Sequence, residues 1–224
     1  MANQTDTNAW VGVYKFLRDR ITSGQLHPGE KINEREITEL VNVSRTPVRE
    51  AFRNLENEGF VTRIPNRGIF VKKYSPEELD SLYRMLIRLE GLAVEMAVPK
   101  LSKADLNNLK KLNNRLKSLA FKRKFLDYWT LNHSEFHMFF PRKAGSQELL
   151  DIISQLRKRT FRVQYHKIIL LSRASRWASR YVSDHDEIIN ALNGKNKKNP
   201  AKLMEAHIER ARKAFLDFYK EFGL

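Results

Sequence analysis

The sequence predicts a mainly α chain in two parts: a small N-terminal unit of three helices and a β-hairpin, then an all-α bundle of six to seven helices. Apolar residues recur at intervals of three and four through most of the chain, which is the period of a helix buried on one face. Alternation with a period of two, typical of strands, is confined to residues 60–73. Tyr74-Ser75-Pro76 interrupts both patterns, so we place the domains at residues 1–75 and 76–224.

The composition predicts a protein that folds without disulfides and is attracted to polyanions. The 224 residues include no cysteine, and no apolar run reaches the roughly 20 residues of a membrane span, so we expect a soluble, cytoplasmic protein. Lys and Arg outnumber Asp and Glu by 41 to 26, a formal charge of +15, which favours nucleic acid as a partner. Residues 1–73 hold only 12 basic and 9 acidic side chains, however. Most of the excess lies in the second part, where solvated helix faces explain it as well as an anion-binding function does.

Two helices and a short extended segment are predicted first. Apolar residues between Trp10 and Ile21 follow a helical period that stops at Ser23-Gly24, where glycine suits a helix C-terminus. A turn at Pro28-Gly29 and an extended piece at 31–33 follow. The run 34–41 then predicts a short amphipathic helix.

A third helix is predicted after a tight turn, which is the layout of a helix-turn-helix. Ser44 is placed to cap this helix, and Gly59 to end it. In such an arrangement the first turns of the third helix present side chains to base edges and phosphates. The side chains so placed are Arg45, Thr46 and Arg49.

The residues that follow predict a β-hairpin, or wing. Phe60–Ile64 and Ile69–Lys73 flank the turn Pro65-Asn66-Arg67-Gly68. Arg67 at its tip can approach a phosphate or a minor groove. Each arginine alone is more often a solvated surface charge than a DNA contact, but the ordered set predicts a winged helix-turn-helix that binds double-stranded DNA.

Residues 10–73 resemble the DNA-binding domain of the GntR superfamily of transcription regulators. The resemblance is carried by Pro28-Gly29, the acidic helix at 34–41, the run SRTPVREA from Ser44 and the glycine-tipped wing. It implies DNA contacts from seven residues, namely Arg35, Ser44, Arg45, Thr46, Arg49, Arg67 and Gly68.

From Pro76 to the end the pattern is helical throughout, and Pro76 suits the first turn of a new helix. Breaks are predicted near Pro99, at 122–124, at 141–145, at 173–176 and at 194–200. Six amphipathic helices are predicted between these breaks: Leu79–Val98, Ser102–Leu119, Phe125–Phe140, Gln147–Ser172, Trp177–Leu192 and Pro200–Phe222.

Four histidines in these helices are candidate metal ligands. His133 and His137 are spaced i and i+4 and share one helix face, while His185 and His207 lie among apolar residues of two other helices. Four inward imidazoles could converge on a metal ion. A buried histidine is also commonly a hydrogen-bonded core residue, and periodicity alone leaves both alternatives open.

Residues 76–222 are similar to the FCD domain, the effector-binding and dimerisation bundle of many GntR regulators. The similarity is carried by Arg88-Leu89-Glu90-Gly91, by Asn132–His137, by His185 with 187–192, and by Ala206-His207-Ile208. It implies a divalent metal held by three histidines and one acidic or amide residue, which helps to bind a small carboxylate. His137, His185 and His207 fall on the three histidine positions.

Two residues depart from the FCD pattern. His133 stands where the family usually has Asp or Asn, and four neutral imidazoles suit zinc, nickel or copper better than magnesium. Leu86 stands where the family often has an arginine that meets a ligand carboxylate. Arg88 or Arg162 is the expected substitute for effector binding.

The sequence therefore predicts a homodimeric transcription regulator, a repressor, controlled by a small-molecule effector. One alternative is a metal-dependent hydrolase, since an open metal site can activate water. In HSEFH, however, Glu135 lies about half a turn from both histidines, away from the place of a general base. The other alternative is a nonspecific nucleic-acid-binding protein attracted by bulk charge.

Overall fold

The computed structural model describes residues 4–22, 25–119, 125–170 and 174–222, with side chains described at 9–21, 25–118, 133–160, 180–217 and 219–220. The chain divides into two compact units, Met1–Tyr74 and Ser75–Leu224. None of the helices described combines the length and apolar character needed to cross a membrane.

In the part of the first unit that the structure describes, three helices pack with a three-stranded antiparallel sheet. The order along the chain is α1 (Gln4–Thr22), β1 (Lys31–Ile32), α2 (Glu34–Val41), α3 (Arg45–Asn57), β2 (Val61–Ile64) and β3 (Gly68–Val71). The strand order is β1-β3-β2, so the hairpin β2–β3 is extended by the short strand before α2. The sequence prediction of an extended piece at 31–33 becomes an edge strand, because Lys31 pairs with Phe70 and Ile32 with Ile69.

Local signals in the sequence position α2 and α3. Asn33 caps α2 by accepting a hydrogen bond from the Arg35 backbone N–H at 3.0 Å. Asn42 ends α2 in the left-handed region, at φ 49°, which turns the chain into α3. The buried face of α3 consists of Val48, Phe52 and other apolar residues, which fixes the opposite face toward solvent.

The second unit is an all-α bundle in which α4 is central and packs against α6, α7 and α9. Ser75 and Glu78 form a reciprocal capping box at its start, with Pro76 in the first turn. Its α-helices within the described ranges are α4 (Pro76–Ala97), α5 (Lys103–Leu119), α6 (Phe125–Ala144), α7 (Gln147–Leu170), α8 (Ala174–Leu192) and α9 (Pro200–Phe222).

The structure corrects two predicted boundaries between helices. The helix α8 begins at Ala174, three residues before the predicted start at Trp177, and α6 ends later than predicted. The sequence predicts that α6 ends at Phe140. In the structure α6 continues through Pro141 and ends four residues later, at Ala144. Gly145, at φ 78°, makes the turn instead. A proline within a helix removes one backbone hydrogen bond and its ring crowds the carbonyl four residues back, and α6 ends three residues after Pro141.

Candidate DNA interface and metal centre

The predicted recognition residues lie together on the solvent face of α3. Ser44, Arg45, Thr46 and Arg49 are all exposed, whereas Pro47 and Val48 between them are buried. Ser44 occupies the N-cap position with an extended backbone, but its side chain makes no capping hydrogen bond. Ser44 is therefore the N-cap residue of α3, as predicted, but without the expected side-chain hydrogen bond.

Exposed ion pairs hold some of these arginines loosely. Arg35 pairs with Glu39 on its own helix at 2.8 Å. Glu34 of α2 lies 3.6 Å from Arg49 of α3 and 3.7 Å from Arg63 of β2. Exposed pairs of this kind contribute only about 0–1 kcal/mol, so a phosphate can replace the carboxylate at little cost.

The wing carries a second set of cations. Its turn has positive φ at Asn66 (60°) and at Gly68 (107°), a backbone that requires glycine at the second position. The Arg67 guanidinium lies over the Phe70 ring, 5.7 Å from its centroid. A Cβ added at Gly68 would lie 3.2 Å from Cε of Lys31, so the tip of the wing abuts β1.

Two cations of this surface, Lys31 and Arg63, are absent from the sequence prediction. Arg63 lies beside Glu34, within the same patch as Arg49, and Lys31 lies beside the wing turn. Both side chains are exposed, but Arg63 shares a sheet face with the buried Val61 and Ile69, so strand alternation alone would not have predicted its exposure. Lys31 lies beside the wing because β1 pairs with β3, and this strand order cannot be predicted from the local sequence pattern.

Four histidines from three helices converge in the core of the second unit. His133, His137, His185 and His207 are at most 3% exposed, and one ligand atom from each lies within 4.8 Å of the others. The Nε2 atoms of His133 and His137 are 3.3 Å apart, and those of His207 and His137 are 3.2 Å apart.

Hydrogen bonds from outside the cluster orient three of the rings. His137 Nδ1 lies 2.7 Å from Glu90 Oε2, and His207 Nδ1 lies 3.1 Å from Asp184 Oδ2. A carboxylate only accepts hydrogen bonds, so each Nδ1 carries the proton and each Nε2 presents a lone pair to the cluster. Carboxylate partners on the outer nitrogen are the usual companions of metal-binding histidines.

His185 is oriented by a buried amide. The Asn113 side-chain NH₂ donates to the Val182 carbonyl at 3.1 Å and to Asp186 Oδ1 at 2.8 Å, which leaves its carbonyl oxygen to face His185 Nδ1 at 3.2 Å. His185 Nδ1 is therefore the donor. Its Nε2 is buried and has no hydrogen-bond partner among the residues described.

These observations fit a metal site. The Nε2 lone pairs of His137 and His207 face one another across 3.2 Å, where they cannot hydrogen-bond and repel one another. Two nitrogens that each lie about 2.05 Å from a tetrahedral zinc ion would be about 3.3 Å apart. The buried His185 Nε2, which has no hydrogen-bond partner among the described residues, is a further nitrogen available to a metal. The four residues could therefore hold a metal ion.

Burial keeps these imidazoles neutral, which is the form that binds metals. Desolvation lowers the pKa of His133, His137 and His185 well below the ordinary value of 6.5, and the nearby Arg157 guanidinium lowers them further. The pKa of His207 is lowered by burial too, although Asp184 opposes the shift.

We expect the metal-free chain to lose stability as the pH falls through the histidine range. The folded-state pKa values lie below the unfolded value of 6.5, so the unfolded chain binds more protons and the free energy of unfolding falls with pH. The slope is about 1.4 kcal/mol per pH unit for each such histidine. Urea unfolding at several pH values between about 7 and 5 measures it. A free energy that stays constant over this interval would contradict neutral buried imidazoles.

A small cavity adjoins the cluster, with room for about one water-sized group at about 10 Å³. It is lined by three of the histidines and by Arg157 of α7, among other residues. Arg157 is 8% exposed and its Nε donates to Glu90 Oε1 at 2.5 Å. Neither Glu90 nor Arg157 was predicted as a site residue, because a buried ion pair between two helices leaves no local pattern in the sequence.

The predicted effector residues are placed differently. The Arg88 side chain is 77% exposed and pairs with Glu205 at 3.5 Å, in a surface depression that does not include the histidines. The Arg162 side chain lies outside the described residues. Leu86, at the position where an arginine was expected, lines the histidine cavity.

Glu135, the carboxylate considered for a hydrolase, points away from the cluster. Its side chain is 52% exposed and pairs with Arg142 at 2.7 Å. It is therefore not placed as a general base for a metal-bound water.

Two family models match the chain. Residues 11–71 match bacterial regulatory proteins of the gntR family, and residues 81–210 match the FCD domain. These matches and the relatives below are transcription regulators rather than enzymes.

The relatives include two curated regulators and one solved structure. The chain is 26% identical to the transcriptional repressor RspR of Escherichia coli, over 88% of this chain and 84% of RspR. It is 33% identical to the HTH-type regulator YdhC of Bacillus subtilis, over 47% of each chain. The structure of E. coli McbR/YncC has the same fold, with a TM-score of 0.75 at 21% identity, covering 94% of this chain and 98% of that one.

Proposed function

Since the chain belongs to the GntR family of bacterial regulatory proteins and carries an FCD domain, it is a DNA-binding transcriptional regulator, and we propose that it is a repressor released by a small carboxylate. The proposal rests on one observation above all: four buried histidines bring one ring nitrogen each to within 4.8 Å of the others.

The DNA-binding half of the proposal assigns roles to the exposed cations of the first unit. Arg45, Thr46 and Arg49 would contact bases and phosphates from α3 in a major groove, and Arg67 with Gly68 would place the wing on the backbone or in a minor groove. Arg35 and Ser44 would contact phosphates. Because helix-turn-helix proteins read two half-sites about one helical turn apart, we propose a homodimer.

The effector half assigns His133, His137, His185 and His207 to a divalent transition metal, zinc or nickel, which would attract a carboxylate as a Lewis acid. Glu90, Asp184 and Asn113 hold the rings in the orientation that leaves Nε2 deprotonated. An effector controls DNA binding only if it binds one arrangement of the dimer more tightly than the other.

Selection from a random DNA library followed by footprinting tests the proposal. A repressor of this type protects one short, two-fold symmetric sequence, whereas a charge-driven binder protects none preferentially. Binding to the selected sequence is then measured with zinc or nickel, with a chelator, and with acetate and citrate. Operator affinity that is the same in every condition would contradict effector control, and light scattering at 26.4 kDa, the monomer mass, would contradict the homodimer.

A further inference from the structure

We propose that the exposed face of α5, in the second unit, is an additional DNA-binding surface whose cations contact the phosphates of a duplex without reading its sequence. We define the basic face of α5 by five exposed cations: Lys103, Lys110, Lys111, Arg115 and Lys117. The inference goes beyond the proposed function, because it requires neither the metal ion nor the effector. It assigns a role to part of the positive charge that the second unit carries.

The charge of the basic face is largely unbalanced. The one acidic residue of α5, Asp105, is bound by Lys143 of α6 at 2.7 Å. In the part of the chain that the structure describes, Lys117 is the only cation of the face with an ion pair, to Asp186 at 2.8 Å. On α2, α3, α4 and α9, by contrast, an exposed cation pairs with an acid three or four residues away. The basic face therefore differs from the solvated helix faces elsewhere in this protein.

The residues of this face are also unfavourable for the helix itself. Lys111 and Arg115 are spaced i and i+4, where like charges repel each other and destabilise a helix. Asn107, Asn108 and Asn114 are exposed on α5 as well, and asparagine is a poorer helix former than alanine. Cationic and amide side chains both donate hydrogen bonds to DNA phosphates. A row of phosphates would therefore relieve the repulsion and accept hydrogen bonds from the amides.

Double-stranded DNA fits this face better than a lipid surface does. From Lys103 to Lys117 the helix rises about 21 Å at about 1.5 Å per residue, a length over which a duplex presents about twelve phosphates. A helix that lies in a membrane surface inserts its apolar side chains, whereas Leu109 and Leu116 of α5 are fully buried in the bundle. DNA is also the partner of the family to which the chain belongs.

Contacts from α5 would add to a modest electrostatic contribution from the first unit. Residues 1–73 hold 12 basic and 9 acidic side chains, which is a small excess for a protein that binds a polyanion. Each phosphate contact releases bound counterions from the duplex, so it raises affinity and makes it more dependent on salt. The basic face therefore predicts a salt dependence that the first unit alone would not produce.

The test measures binding of the full chain to an unrelated duplex of about 30 base pairs by fluorescence anisotropy at several salt concentrations. Lys110→Gln/Lys111→Gln/Arg115→Gln should reduce the slope of log K against log salt by about 2–3, since each phosphate contact contributes about 0.9. Affinity at about 0.1 M salt should fall about tenfold or more. Lys110→Arg/Lys111→Arg/Arg115→Lys keeps the charge and should bind as the unaltered chain does.

The matched control removes the same charge from another part of the second unit. Lys195→Gln/Lys197→Gln/Lys198→Gln lies in the turn between α8 and α9, where all three side chains are exposed. This control should bind the unrelated duplex within about threefold of the unaltered chain and with the same slope. Circular dichroism verifies that both triple variants are folded, as expected because none of the replaced side chains belongs to the core.

Equal losses in the two triple variants would show that net charge rather than α5 attracts DNA, and would overturn the proposal. An unchanged slope in the α5 variant would overturn it too. Vesicles of phosphatidylglycerol are titrated in parallel, and an α5 variant that loses vesicle binding while it keeps DNA binding would assign the face to a lipid surface instead. Because the unrelated duplex needs no operator or metal, this test is decided separately from effector control.

Discussion

His137→Gln is expected to lower the affinity for zinc or nickel by about a hundredfold to a thousandfold. Structural zinc sites with four ligands bind with about 10–16 kcal/mol, so one ligand accounts for roughly 2.5–4 kcal/mol. His137 is the central member of the cluster, because its Nε2 lies 3.2–3.3 Å from those of both His133 and His207. Glutamine retains a side chain of similar length that can still bond to Glu90, so the loss measures the imidazole.

Competition with a chromophoric chelator measures this affinity, and circular dichroism verifies that the variant is folded. His27→Gln is the matched control, because His27 is exposed in the first unit and belongs to no metal cluster among the described residues. Equal metal affinity in His137→Gln and the unaltered chain would remove His137 from the ligand set. An equal loss in His27→Gln would show that the metal binds at surface histidines.

Arg45→Ala/Arg49→Ala should abolish sequence-specific DNA binding at physiological salt. Each arginine that contacts a base is worth about 1–3 kcal/mol, so the pair accounts for roughly 2–6 kcal/mol if the effects add. Both side chains are exposed on one face of α3, four residues apart, and the only ion pair described for Arg49 is the loose one with Glu34. The fold should survive, since neither side chain belongs to the core.

Gel-shift titration on the selected operator and on an unrelated sequence measures the two contributions. Arg53→Ala is the control, because Arg53 is on the same helix, is 71% exposed and pairs with Glu50. We expect Arg53→Ala to bind within about threefold of the unaltered chain. A double variant that keeps its preference for the operator would place the recognition surface elsewhere.

Much of the architecture was predictable from local pattern. The spacing of apolar residues gives each helix a single buried face. Asn33, Pro76 and the glycines mark the ends of elements through local backbone conformation, which does not depend on residues far away in the chain. The exposed arginines of α3 and the i, i+4 histidines of α6 follow from the same periodicity. Such features depend on neighbours along the chain, and those are all visible in the sequence.

What depends on contacts between distant helices emerged only from the tertiary structure. The pairing of Glu90 with Arg157 and the hydrogen bond from His185 to Asn113 join residues 67 and 72 positions apart. No periodicity encodes which buried charge meets which, since that is settled by how the helices pack together and by the need of every buried polar group for a partner. The sequence offered Arg88 and Arg162 as substitutes for the missing arginine, whereas helix packing brings Arg157 to the cavity.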